Sequence, residues 1–223
     1  LAEKSTVNLG ANLAGLYASG VKKWKNSSLD VGGNYTNTTP FFGLLPTNID
    51  FYSPPQGGSG NIRYVWKPNK NGILKASFNG SFSESGIEIP NYNTVDPDPN
   101  NPAKNLGDKV RFATNNQYYY SNISYKQMFK SKFMLYTAAS YSLDKTDNKF
   151  GTLDLKADEH RAQYRLEGKR YKTSRLNLLV GSDVQNFGIE KKYDTFRKAE
   201  FSQTIVSGYA ELEWTPAYFI AIK

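Results

Sequence analysis

Residues 161–169 read RAQYRLEGK, and this stretch decides the fold. Arg161, Gln163, Arg165, Glu167 and Lys169 fall on one side of an extended chain, and Ala162, Tyr164, Leu166 and Gly168 on the other. Side chains alternate across a strand, so a period of two with one charged and one apolar side describes a strand between two unlike environments. The same rule orders residues 206–214, where Glu211 and Glu213 oppose Val206, Ala210, Leu212 and Trp214. Between these two segments, Leu176, Leu178, Val180 and Val184 oppose Asn177, Asp183 and Gln185.

The pattern extends over most of the chain. A first strand carries Val7, Leu9, Ala11, Leu13, Gly15 and Tyr17 against Asn8, Gly10 and Asn12, and a second carries Leu29, Val31, Gly33 and Tyr35 against Ser28, Asp30, Asn34 and Thr36. A third, shorter strand sets Ile62, Tyr64 and Trp66 against Asn61, Arg63 and Lys67. A fourth sets Leu74, Ala76, Phe78 and Phe82 against Lys75, Ser77, Asn79 and Ser81. The fifth, near 117–129, is tyrosine-rich and of ambiguous phase. The sixth sets Phe133, Leu135, Ala139 and Tyr141 against Ser140 and Ser142, and the last of about ten strands begins at Ala217.

Composition narrows the environment. Aromatics make up 14% of the 223 residues, with 16 Tyr and 13 Phe, yet the mean hydropathy is −0.60. Aromatics interleaved with Asn, Ser, Gly and Lys suit sheets that are apolar on one side only. The absence of cysteine excludes disulfides and thiolate metal sites. No apolar run approaches the roughly 18 residues of a membrane helix; the longest, at 41–45 and 218–222, are far shorter. A membrane-spanning form must therefore use strands in a closed barrel, which alone satisfies the backbone in hydrocarbon. No charged-then-apolar leader stands at Leu1, so the expected outer-membrane precursor is longer than this chain. The net charge of +8 fits a solvated lumen and loops beside anionic outer-membrane lipid or lipopolysaccharide. No nucleic-acid partner is expected.

Connections are expected to alternate in length. Short ones fall near 22–26, 68–72, 130–132, 172–174 and 215–216; long polar ones span 37–60, 83–111, 144–156 and 186–200. Outer-membrane barrels sort their connections this way, with short periplasmic turns and long external loops. Trp24, Trp66 and Trp214 all sit at short turns, among Lys22, Lys23, Lys25, Lys67, Lys70, Lys132, Arg170, Lys172 and Arg175. Indole prefers a membrane boundary, so these three are read as a girdle. The alternative is three core anchors of a soluble domain.

Candidate site residues follow. Asp30, Arg63, Lys75, Arg161, Arg165, Glu167, Lys169, Asp183, Glu211 and Glu213 read as lumen lining. Phe41, Phe42, Phe51, Tyr52, Tyr92, Tyr118 and Tyr120 are candidate ligand contacts, because pockets use aromatic walls with few polar groups; upper girdle and loop packing are the competing roles. His160, with Asp144 or Asp147 across a loop, evokes a rim protease, against the plainer reading of an exposed histidine. Asp96, Asp98, Asn93 and Asn100 offer oxygens but no glycine turn, so no metal site is expected. No cofactor or catalytic group is expected either, since no nucleophile, zinc or phosphate-loop motif occurs.

The segment 22–75, KKWKNSSLDVGGNYTNTTPFFGLLPTNIDFYSPPQGGSGNIRYVWKPNKNGILK, resembles the first part of the barrel of TonB-dependent outer-membrane receptors. The strand at 207–211, SGYAE, followed by Trp214-Thr215-Pro216, is similar to the same barrels. The resemblance implies an all-β, antiparallel up-and-down transmembrane β-barrel in which about ten strands of 22 are present, with residues 1–223 one partial barrel domain. The plug domain and remaining strands are not in this chain. It further implies TonB-energised uptake of a siderophore, cobalamin, glycan or peptide in a Gram-negative outer membrane. TonB would engage through the missing plug, and a surface lipoprotein lid is a possible partner. A passive porin or adhesin, and a soluble β-sandwich binding module, are the alternatives.

Overall fold

The computed structural model describes residues 1–44, 50–90, 109–172, 176–194, 197–217 and 220–222. They form a single antiparallel sheet of eleven strands in strict sequence order, each paired only with its chain neighbours. The strands are β1 (Thr6–Asn12), β2 (Gly15–Lys23), β3 (Ser27–Asn37), β4 (Asp50–Trp66), β5 (Gly72–Pro90) and β6 (Lys109–Met128). They continue with β7 (Phe133–Phe150), β8 (Leu153–Tyr171), β9 (Leu176–Tyr193), β10 (Arg197–Ala217) and β11 (Ile220–Ile222). One short helix, α1 (Thr39–Leu44), follows β3. The fold is thus the all-β, up-and-down barrel type, with the sheet open between β1 and β11.

The expected first strand is a hairpin. Leu13 and Ala14 turn the chain between β1 and β2, and the Asn12 carboxamide oxygen accepts a hydrogen bond from the Ala14 amide at 2.9 Å. This is the self-capping that makes asparagine a turn former. The turn reverses the phase. Leu16 and Ala18 join Ala11 and Leu9 on the apolar face, while Gly15 and Tyr17 cross to the side of Asn12 and Gly10. The described residues therefore hold eleven strands.

Two of the four expected long loops are also strands. Segments 144–156 and 186–200 lie within β7–β8 and β9–β10, whose links are only residues 151–152 and 194–196. Gly151 supplies a left-handed φ of 59° at the first link, and Asp194 adopts 55° at the second. Likewise β4 begins at Asp50, β5 runs to Pro90 and β6 begins at Lys109, so residues 50–60, 83–90 and 109–111 of the other two expected loops are strand. Pro54 and Pro55, which cannot donate to a ladder, fall where the β4–β5 register shifts. At about 3.3 Å per residue, the 21 residues of β10 span roughly 70 Å. A bilayer needs only about 9–11 residues of a tilted strand. About half of each long strand thus projects beyond any membrane, where neighbour pairing still satisfies its backbone.

The described residues add no second layer to the sheet. Among the described residues, Met134 is the only buried hydrophobic side chain. Register places Val7, Leu16, Val31, Ile62, Phe78, Ile123, Tyr141, Tyr164, Val180 and Leu212 on one common face. These side chains are exposed, Val7 at 76% and Leu212 at 56%. A contiguous apolar face of this extent is untenable in water and suited to hydrocarbon. On β10 the apolar run from Val206 to Trp214 is roughly 26 Å along the strand, or about 20 Å of height at the usual barrel tilt. A β-sandwich, which needs a facing sheet, does not describe these residues.

Candidate functional site

The polar face is organised by ion pairs. All ten residues expected to line a lumen share it: Asp30, Arg63, Lys75, Arg161, Arg165, Glu167, Lys169, Asp183, Glu211 and Glu213. Arg165 donates through Nε and Nη2 to the two oxygens of Asp183, at 2.7 and 3.0 Å. This fork is the strong form of a charged hydrogen bond, and Asp183 is buried by it. Arg165 also approaches Glu167 at 3.7 Å, and the Tyr209 hydroxyl donates to the same Glu167 oxygen at 2.6 Å. Lys169 and Asn177 both donate to Glu213, at 3.3 and 3.2 Å. Farther along the sheet, Arg63 pairs with Asp30 at 2.9 Å. Arg161 instead lies over the Phe187 ring, 5.6 Å from its centroid. Lys75 stands between Val65 and Ser124.

The two faces exchange character along the strands. On the apolar face, Tyr35, Phe82, Tyr119, Tyr141 and Tyr164 form a staggered aromatic row, and the next outward positions are Asn37, Glu84, Gln117, Leu143 and Ala162. One step farther, Lys145 and His160 complete the change to polar. Close approach of Phe82 needs glycine at position 58, where a Cβ would stand 2.9 Å from the ring and 3.0 Å from the Asn34 carbonyl oxygen. Beyond the row this face is charged, and many of its charges are paired. Arg111 pairs with Glu88 at 2.6 Å, and Lys109 bridges Glu88 and Asp50. Lys156 pairs with Asp147, Lys192 with Glu190, and Lys198 with Glu190 and Glu200. The Arg111 hydrogen bond holds the Glu88 carboxyl below the ordinary range, and the Lys192 and Lys198 hydrogen bonds do the same for Glu190.

At the same height the formerly polar face turns apolar. Ile87, Val110, Phe112, Phe150, Leu153, Leu155 and Tyr193 share it. Phe112 and Phe150 meet edge to face with centroids 4.0 Å apart. A cleft of about 610 Å³ opens on this wall, lined also by Ser85, Thr114 and Asn148. Its size and its apolar lining with a few amides and hydroxyls match small-molecule sites. Phe150 and Tyr193 are about half exposed, at 54% and 46%.

The aromatic residues singled out in the sequence divide into groups. Phe41, Phe42 and Phe51 come together, with Phe42 4.6 Å from Phe51 and 5.7 Å from Phe41. Tyr52 lies in β4 under the Arg111 guanidinium, 5.1 Å from it, and against Gly86. Tyr118 and Tyr120 are strand residues on the polar face, opposite Asp144 and Ser142. Tyr92 lies outside the described residues, as do Asn93, Asp96, Asp98 and Asn100. Trp24, Trp66 and Trp214 are all exposed at the short-turn end of the sheet. His160 faces Gly188 on the face opposite to Asp144, while Asp147 is engaged by Lys156. The His–Asp dyad considered from sequence is therefore not assembled. The Phe112–Phe150–Leu155–Tyr193 wall was not read from sequence. Its signal is the phase change within residues 153–159, LDLKADE, where the apolar residues take the positions held by charges in 161–169.

No family model matches the sequence, and no curated protein matches it. Solved structures do. The ferric citrate transporter FecA, solved in the unliganded form, superposes on 92% of this chain with a TM-score of 0.57 and 8% identity. The copper transporter OprC aligns over 92% with a TM-score of 0.46 and 10% identity. The chain spans 34% of the length of FecA and 40% of that of OprC. At such identity the likeness to FecA establishes the shared barrel fold.

Proposed function

We propose that this chain is part of an outer-membrane transporter barrel that takes up a ligand by a TonB-energised route in a Gram-negative bacterium. The observation that carries the reading is the double reversal of polarity. One face is apolar between the tryptophans and the aromatic row and charged beyond it; the other is ion-paired across the membrane height and apolar beyond it. A wall of this kind separates lipid from a polar interior and offers an external apolar surface to a ligand. The fold shared with FecA supports a transport role over an enzymatic one.

In this reading residues 1–223 belong to one barrel domain, completed by further strands and a plug. The Arg165–Asp183–Glu167–Tyr209 network holds the inner wall against which the plug seats. The Phe112–Phe150 wall, together with the Phe41–Phe42–Phe51 cluster, receives the ligand. Siderophore, cobalamin, glycan and peptide all present a face suited to aromatic contact. A surface lipoprotein lid would seat on the same hairpins.

The test is uptake by cells carrying or lacking the gene, with the proton-motive force intact or collapsed. Uptake that needs both the gene and the force supports the proposal. Uptake that persists after collapse would favour a passive porin. Surface binding of cells with no uptake would favour an adhesin.

A further inference from the structure

The two ends of the sheet treat charge differently. At the hairpin end five cations, Lys109, Arg111, Lys156, Lys192 and Lys198, lie against carboxylates. The cations of the short turns do not. The turns at 24–26, 67–71 and 129–132 contain Lys25, Lys67, Lys70, Lys130 and Lys132 and no Asp or Glu. All five are exposed. Among the described residues none of them lies within ion-pair distance of a carboxylate; the pair present near this end, Lys169–Glu213, belongs to the polar face.

Two further cations stand on the apolar face itself. Lys22 pairs in register with Leu29, and Arg170 lies between Phe133 and Leu178. Both are exposed and occupy the last step of the apolar run. Long cationic side chains at such positions bury their stems along apolar surface and carry the charge to the boundary. Trp24 and Trp66 adjoin Lys25 and Lys67 in sequence, so indoles and unpaired cations share one level. That level is where lipid phosphates lie once the apolar face is placed in a bilayer.

We infer that the short-turn end is a collar for anionic phospholipid, in which Lys22, Lys25, Lys67, Lys130 and Arg170 bind headgroup phosphates of the leaflet on that side. The inference rests on the membrane reading of the apolar face. An ammonium or guanidinium left without a carboxylate keeps its full attraction for a phosphodiester, and a cation near an anionic membrane surface gains roughly fivefold in binding.

The tryptophans are built-in reporters of this level. The protein is reconstituted in bilayers in which either phosphatidylglycerol or phosphatidylcholine carries brominated chains, and quenching of tryptophan fluorescence is compared. Phosphatidylglycerol should be preferred at the quenching sites by roughly fivefold. Lys22→Gln, Lys25→Gln, Lys67→Gln, Lys130→Gln and Arg170→Gln together should bring the ratio to about one, whereas Arg at the four lysines with Arg170→Lys keeps it. Excess inorganic phosphate should leave it unchanged. Equal quenching by both lipids in the unmodified protein would overturn the collar while leaving the membrane reading intact. Displacement by inorganic phosphate would replace the lipid with a free anion and overturn it too. No quenching by either lipid would overturn the membrane reading, and the collar with it.

Discussion

Ala210 stands near the middle of the apolar run of β10, four residues from both Val206 and Trp214, and is exposed opposite Val180. In water an exposed Ala→Lys change on a strand costs a few tenths of a kcal/mol. At the centre of a lipid-facing band the same change costs about 2–4 kcal/mol, because the ammonium must be dragged through hydrocarbon or drawn to the boundary. Thr204, six residues along the same face and beyond Val206, lies where that cost has dropped to about 0–1 kcal/mol. Ala210→Lys should therefore lower the folding equilibrium constant in bilayers by roughly 30- to 1,000-fold, and Thr204→Lys by roughly fivefold or less. Reversible urea titration of the protein folded into vesicles, followed by tryptophan emission, measures both. Equal, small losses would refute the assignment of this face to lipid. A large loss at Thr204 with none at Ala210 would move the boundary.

Other outcomes follow from the same geometry. Asp183→Asn removes the buried half of a forked pair and leaves Arg165 only its longer, 3.7 Å contact with Glu167, so it should cost about 1–3 kcal/mol in the same titration. The double change Arg165→Met with Asp183→Leu should recover most of that loss. The depressed carboxyls of Glu88 and Glu190 set a pH dependence in the projecting hairpins. Their folded pKa lies below the ordinary 4.5, so the unfolded chain binds more protons between the two values and stability rises with pH there. The contribution is complete above about 4.5 and lost as pH falls through the depressed value. Amide exchange in β5–β6 should accelerate over that acidic range, and Glu88→Gln should abolish the dependence. Phe150→Ala and Tyr193→Ala, both half exposed, should each weaken ligand binding about tenfold while leaving folding unchanged. Undiminished uptake in both variants would remove the apolar wall from the ligand path.

Within the membrane height the sequence was nearly transparent. Each face there has one environment, so Arg161 to Lys169 and Val206 to Trp214 alternate without a break, and all ten proposed lumen residues share a face. Beyond the aromatic row the rule failed for a physical reason. Neither face meets hydrocarbon, the charged and apolar sides exchange, and Lys145, Asp147 and Lys149 replace Leu135, Ala139 and Tyr141 on one face. A reader expecting constant phase sees polar loop where the backbone remains fully paired. The β1–β2 turn was hidden similarly, because Leu13 and Ala14 continue the apolar count through a reversal made visible only by the Asn12 bond. The ambiguous tyrosines of β6 were settled by partners alone. Tyr119 stacks on Phe78 in the apolar row, whereas Tyr118 and Tyr120 face Asp144 and Ser142.

The abrupt border at Tyr35, Phe82, Tyr119, Tyr141 and Tyr164 also limits how the wall can move. A strand sliding by two residues keeps every side chain on its own face, so alternation alone does not forbid it. Sliding β7 that far toward the short turns would carry Lys145 to the level of Leu143, beside Tyr119 and His160. The reverse slide would lift Leu143 into the charged zone. Each neighbour that moved with it would incur a similar penalty, and one that stayed would lose its register. The sheet is in effect a stator, held at a fixed height by both rims.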